Sequence, residues 1–129
     1  MNLSEKIEYW IDIADYDIKT AKSLHRNGRY LYTVFMSQQA VEKLLKAMHL
    51  QKNAKEAPLS HNLIYLQSLL DMDLSDEQLK LLAELTTYYI EGRYPSYKEK
   101  LSTLVKKEKS SEILKQTEEF YKWLRQKIK

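Results

Sequence analysis

Cysteine is missing from all 129 residues, which removes disulfides, thiolate nucleophiles and cysteine-ligated zinc together. The fold must be held by packing alone. Glycine and proline occur only twice each, so there are few places where a helix is forced to stop. No apolar run approaches the ~20 residues that span a bilayer. The opening MNLSEKIEYW is too acidic and too poor in apolar residues for a secretory signal, and a cytoplasmic protein is expected. Glycine-rich phosphate loops, H-E-x-x-H pairs, G-x-S-x-G elbows and EF-hand loops are all missing. The three histidines, His25, His49 and His61, fall on different segments without metal spacing. Glu8, Asp12 and Asp15 share a helical face, but no Glu-x-x-His pair accompanies them as a di-iron bundle requires. Neither a metal nor another cofactor is expected.

What is present fits one globular domain covering residues 1–129. The chain is long enough for a single core and short for two, and 43% hydrophobic against 30% charged residues is not the composition of a disordered chain. Charge is unevenly placed. Residues 1–92 carry 10 Lys/Arg and 13 Asp/Glu, whereas residues 93–129 carry 11 and 5. The basic C-terminal part suits contact with phosphates and equally suits a solvated basic helix.

Between its few breaks the apolar pattern is helical. Ile7, Trp10, Ile11, Ala14, Ile18, Ala21 and His25 recur at threes and fours, and Asn2 with Glu5 reads as a capping box, so a first helix is expected over about residues 3–26. Asn27-Gly28 predicts a turn. From Tyr30 to about Gln51 apolar groups occupy nearly every side: Leu31, Val34, Phe35, Ala40, Val41, Leu44, Leu45, Ala47 and Met48. Such a helix is central or lies in a subunit interface, and its girth predicts a homodimer. Pro58 ends any helix, and Ser60 is expected to cap a short third one carrying Leu63, Ile64, Leu66, Leu69 and Leu70. Ser75 and Gln78 form a second capping box before a fourth helix that runs to Gly92, where glycine's left-handed conformation is expected to close it. Ile113, Thr117, Phe120, Tyr121, Leu124 and Ile128 continue the period in a last helix. The fold class is all-α, an antiparallel up-and-down four-helix bundle with an additional short helix.

Two places carry chemistry. In the second helix Gln39, Lys43 and Lys46 share a face, beside Gln38 and Glu42. They are either the wet stripe of an amphipathic helix or the lining of a groove in which the lysines face phosphates and Gln39 fixes orientation. The other place is YYIEGRYPSYKEK, Tyr88 to Lys100, where Pro95 turns the chain out of helical geometry and leaves a loop. Arg93 there can fork onto a phosphate while Tyr94 and Tyr97 stack on a base. Alternatively, Arg93 pairs with Asp17 or Glu42 and Tyr94-Pro95 packs as a structural corner.

Five blocks in order, ADYDIKTA from Ala14 to Ala21, the GRY at Gly28, QQAVEKLLKA from Gln38 to Ala47, SHNLIYL from Ser60 to Leu66, and RYP at Arg93 to Pro95, resemble the HEPN family (higher eukaryotes and prokaryotes nucleotide-binding). The resemblance spans nearly the whole chain. It implies a helical bundle, frequent homodimers and association with nucleotides or RNA, and a partner role beside a minimal nucleotidyltransferase in toxin-antitoxin-like modules. Catalytic members resembling this chain are metal-independent ribonucleases with an arginine followed, after four to six residues, by histidine. After Arg93 those positions hold Lys98, Glu99 and Lys100. Histidine, with a pKa of about 6.5, suits proton transfer from a 2′-hydroxyl and lysine at about 10.4 does not. The expectation is therefore a non-catalytic nucleotide- or RNA-associated protein. The alternatives are a ribonuclease with a displaced histidine, for which His61 is the outside candidate, and a helical interaction module without a ligand.

Overall fold

Asn2 opens the first helix: its side chain accepts from the Glu5 backbone N–H at 2.8 Å, and Glu5 answers onto the Asn2 backbone at 3.2 Å. In this computed structural model, which describes residues 1–92, 103 and 105–128, the helix so capped is α1, Leu3–Arg26. Gly28 takes a φ of 74°, a left-handed turn, and α2 follows over Tyr30–Asn53. It runs slightly past the expected end at Gln51 and closes on Ala54, which takes a φ of 57°. α3 is Leu63–Ser68, α4 is Asp76–Gly92 and α5 is Lys107–Lys127. Among the described residues there is no strand.

Cross-helix pairs fix the directions. Asp17 meets Lys43 at 3.5 Å, Lys22 meets Glu118 at 3.3 Å, and Lys109 meets Glu84 at 2.8 Å. Lys6 near the start of α1 lies 3.7 Å from Glu56 just beyond α2, and the His25 and Tyr30 rings meet at 5.5 Å where α1 ends and α2 begins, so these two helices are antiparallel. His25 Nδ1 lies 2.8 Å from Ser110 Oγ early in α5 while Asp15 pairs with Arg125 late in it, so α1 and α5 are antiparallel too, as in the up-and-down bundle that the periodicity predicts. α2 is the central helix. Leu31, Val34, Ala40, Val41, Leu44, Leu45, Ala47 and Leu50 are all buried, enclosed by α1, α3, α4 and α5 of the same chain. The apolar girth that suggests a dimer is thus consumed inside one molecule. Buried hydroxyls on α2 are satisfied within the helix, Ser37 donating to the Thr33 carbonyl at 2.8 Å and Thr33 to that of Arg29 at 3.0 Å.

Two local expectations change. The cap of α3 is Asn62, not Ser60: Asn62 Oδ1 accepts from the Ile64 and Tyr65 backbone N–H groups, while Ser60 Oγ accepts from Asn62 N. His61 and its carbonyl are tied to α2, so the chain cannot begin to coil before Asn62. Gly92 is the last described residue of α4 and takes no left-handed φ. Its lack of a side chain serves packing instead, because a Cβ there would overlap the Phe35 ring.

Candidate functional site

The polar residues of α2 are neither wet nor open. Glu42 is 2% exposed, and its carboxylate collects three donors: Gln38 Nε2 at 3.1 Å, Lys46 Nζ at 3.0 Å and His61 Nδ1 at 2.8 Å. Burial pushes the Glu42 carboxyl up, but the hydrogen bonds from His61, Gln38 and Lys46 outweigh it and hold the group below its ordinary value. Glu42 is therefore ionised at neutral pH and can only accept. Nδ1 of His61 must then carry the proton in this pair, which leaves Nε2 as the ring's second polar atom.

The same chain of contacts continues to α1. Gln38 also donates to the His61 carbonyl at 3.0 Å, and its own Oε1 accepts from Gln39 Nε2 at 2.8 Å. Gln39 Oε1 accepts from Lys43 Nζ at 2.6 Å, and Lys43 reaches Asp17 at 3.5 Å. Burial raises the Asp17 carboxyl above its usual value, with the Lys43 charge opposing. Lys46 lies 5.7 Å from the centroid of the Trp10 ring. Two ammonium groups and two carboxylates are matched, so the network as a whole holds no excess charge while His61 is neutral.

Of the residues singled out from sequence, Gln39, Lys43, Lys46 and His61 are brought into this one network. Arg93, Tyr94 and Tyr97 lie outside the described residues. Lys43 and Lys46 are 17% and 12% exposed at their side chains and face carboxylates of their own chain. His61 is the accessible member, its side chain 41% exposed, and its ring lies 5.0 Å from that of Tyr89. Tyr89 in turn contacts Phe35 at 5.7 Å, and Phe35 packs on Gly92. The network thus reaches the end of α4, to which the RYP segment is covalently joined. Sequence reading placed Glu42 beside the site and as an alternative partner of Arg93. The i, i+4 spacing of Gln38, Glu42 and Lys46 was the available signal, but it shows nothing of burial. Among the described residues no three His, Cys, Asp or Glu side chains gather closely enough to hold a metal ion, and no helix is long and apolar enough to cross a membrane.

Known proteins give this geometry a setting. The chain superposes on a crystal structure from Thermus thermophilus with a TM-score of 0.82 and 23% identity, covering 99% of this chain and 100% of that one. It superposes on an archaeal HEPN homologue with a TM-score of 0.74 and 22% identity, covering 95% and 98%. Identities this low establish the shared fold. No curated protein matches the chain. The family model for the HEPN domain matches residues 7–127, and on that span the chain belongs to the HEPN family.

Proposed function

We propose that this HEPN protein is a non-catalytic, nucleotide- or RNA-associated homodimer that acts as the substrate-binding or regulatory partner of a minimal nucleotidyltransferase in a toxin-antitoxin-like module. Family membership supports the association with nucleotides or RNA. The observation that turns this reading toward Arg93 is the internal pairing of Lys43 with Asp17 and of Lys46 with Glu42. With those cations already matched, Arg93 is the residue we assign to a phosphate, with Tyr94 and Tyr97 as stacking partners for a base. Gln39, Lys43 and Lys46 then form the floor that orders the site rather than its charge.

The test separates the two roles. Arg93→Ala should weaken binding of nucleoside triphosphates or short single-stranded RNA by about 1.5–3 kcal/mol, the range of a hydrogen bond to a charged group, with the melting temperature unchanged. Lys43→Ala should lower the melting temperature. Lost stability in Arg93→Ala at unchanged affinity would identify a structural arginine. Failure of the protein to co-purify with a minimal nucleotidyltransferase encoded beside it would remove the partner role.

One contact favours a second reading. A carboxylate orienting the Nδ1–H of an accessible histidine is the arrangement by which Nε2 is prepared to move a proton, and Glu42 with His61 has it. Under this reading the ribonuclease histidine is displaced to His61. Cleavage of labelled RNA in EDTA that persists through repurification, and is abolished in both His61→Ala and Arg93→Ala, would establish it. Under the first reading no cleavage above a no-enzyme control is expected.

A further inference from the structure

α1 has two apolar faces, and the second is only partly covered. Ile7 and Ile11 line a groove of about 610 Å3 whose other side is formed by Arg125 of α5, Ile128 just beyond it and Gln51 of α2. All three isoleucines are half-buried, while Glu8 and Asp12 stand exposed on the same wall. Among the described lining residues the one cation, Arg125, is already engaged. Arg125 donates from Nε and Nη2 to the two oxygens of Asp15 at 3.3 and 3.2 Å, and the Tyr121 hydroxyl donates to Asp15 at 2.5 Å. This clasp ties α1 to α5 and fixes the wall in place. Glu8 and Asp12 have no hydrogen-bond or ion-pair partner among the described residues.

We propose that this groove docks a basic amphipathic helix of another protein. The α1 wall from Leu3 to Asp15 is about 18 Å long at ~1.5 Å per residue, room for about three turns of a partner helix. Apolar residues at i, i+3 or i+4 and i+7 of such a helix would meet Ile7, Ile11 and Ile128, and its flanking lysines or arginines would meet Glu8 and Asp12. The charges select this occupant over two others. Nucleic acid would bring phosphates against unpaired carboxylates. A second copy docking symmetrically would set Glu8 and Asp12 against their own counterparts. The proposal does not rest on the nucleotide-binding reading, since the groove is separate from the Glu42–His61 network.

The probes are two labelled helical peptides with leucine at the same heptad-like positions, one otherwise lysine-rich and one otherwise glutamate-rich, followed by fluorescence anisotropy at low salt. The lysine peptide should bind, and the glutamate peptide should not, although the chain's net charge of +3 favours the opposite order. Glu8→Lys combined with Asp12→Lys should weaken the lysine peptide by at least about tenfold. Because both positions are exposed the variant should keep the wild-type circular dichroism, and Tyr16→Ser, elsewhere on α1, should leave binding unaltered. Absence of binding, equal binding of both peptides, or wild-type affinity in the charge-reversed variant overturns the proposal. So does displacement of the peptide by short single-stranded RNA, which would assign the groove to RNA. A change of sedimentation mass in the charge-reversed variant would assign it to a second copy and overturn it equally.

Discussion

Glu42 shows how one side chain organises a site. A carboxylate this deeply buried is tolerated only when its oxygens are matched, and here Gln38, Lys46 and His61 supply the donors. Removing it leaves the Lys46 ammonium buried without its partner, so Glu42→Ala should cost about 3–5 kcal/mol in urea unfolding. The same group sets a pH dependence. Its folded pKa lies below the unfolded value of 4.5, so its contribution is fully present above that value and is lost as the pH falls through the folded pKa. Asp15 behaves alike: burial raises its carboxyl, but Arg125 and Tyr121 hold it below 3.8. Asp17, raised above 3.8 by burial, works the other way and is relieved by protonation. With Asp71, which Lys52 also lowers, three lowered carboxyls against one raised predict a urea midpoint that declines on acidification below 4.5, with a shallower decline in Glu42→Gln.

At the scale of the helix, Gly92 serves the contact between α2 and α4. The sequence marks it as a left-handed stop, but its φ is not left-handed and its missing side chain makes room for the Phe35 ring. A methyl group inserted into this contact should destabilise by about 1–3 kcal/mol through overpacking, so Gly92→Ala should lower the midpoint of thermal unfolding. Phe35→Leu in the same chain should recover part of the loss. A Gly92→Ala protein as stable as wild type would show that the Phe35 ring yields without cost and overturn the packing role of Gly92. The shift of the α3 cap from Ser60 to Asn62 has the same kind of origin. Both residues can cap a helix, and the choice between them was made by two hydrogen bonds with residues of α2, some twenty positions earlier in the chain: the His61 ring with Glu42, and Gln38 donating to the His61 carbonyl.

For the whole molecule the question is what remains outside once the core is complete. α2 leaves little, since its leucines and valines are enclosed by its own chain. A homodimer must therefore use other surface, and Tyr9, Tyr16, Tyr32 and Ile90 are exposed apolar groups on α1, α2 and α4 that offer it. Sedimentation equilibrium at tens of micromolar should return twice the chain mass of 15.4 kDa. A single-chain mass would make the protein a monomer and leave these residues as isolated surface positions.

The sequence by itself determined the elements. Period, capping boxes and the Asn27-Gly28 turn are local, acting within a few residues of chain, and α1, α2 and the start of α4 follow from them almost to the residue. The five spaced blocks carried the family in the same way. Tertiary structure alone decided what those elements do to one another. Helical spacing sets Glu42 beside Lys46 but shows neither that Glu42 is buried nor that Asp17 of α1 stands against Lys43. His61 is an isolated histidine in the chain and becomes an oriented one only when α2 presents Glu42 to it. The acidic row at Glu8, Asp12 and Asp15 likewise reads as a solvent-facing stripe until α5 folds beside it and takes up one carboxylate of the three. Burial and pairing are properties of neighbours distant in sequence, and no local pattern encodes them.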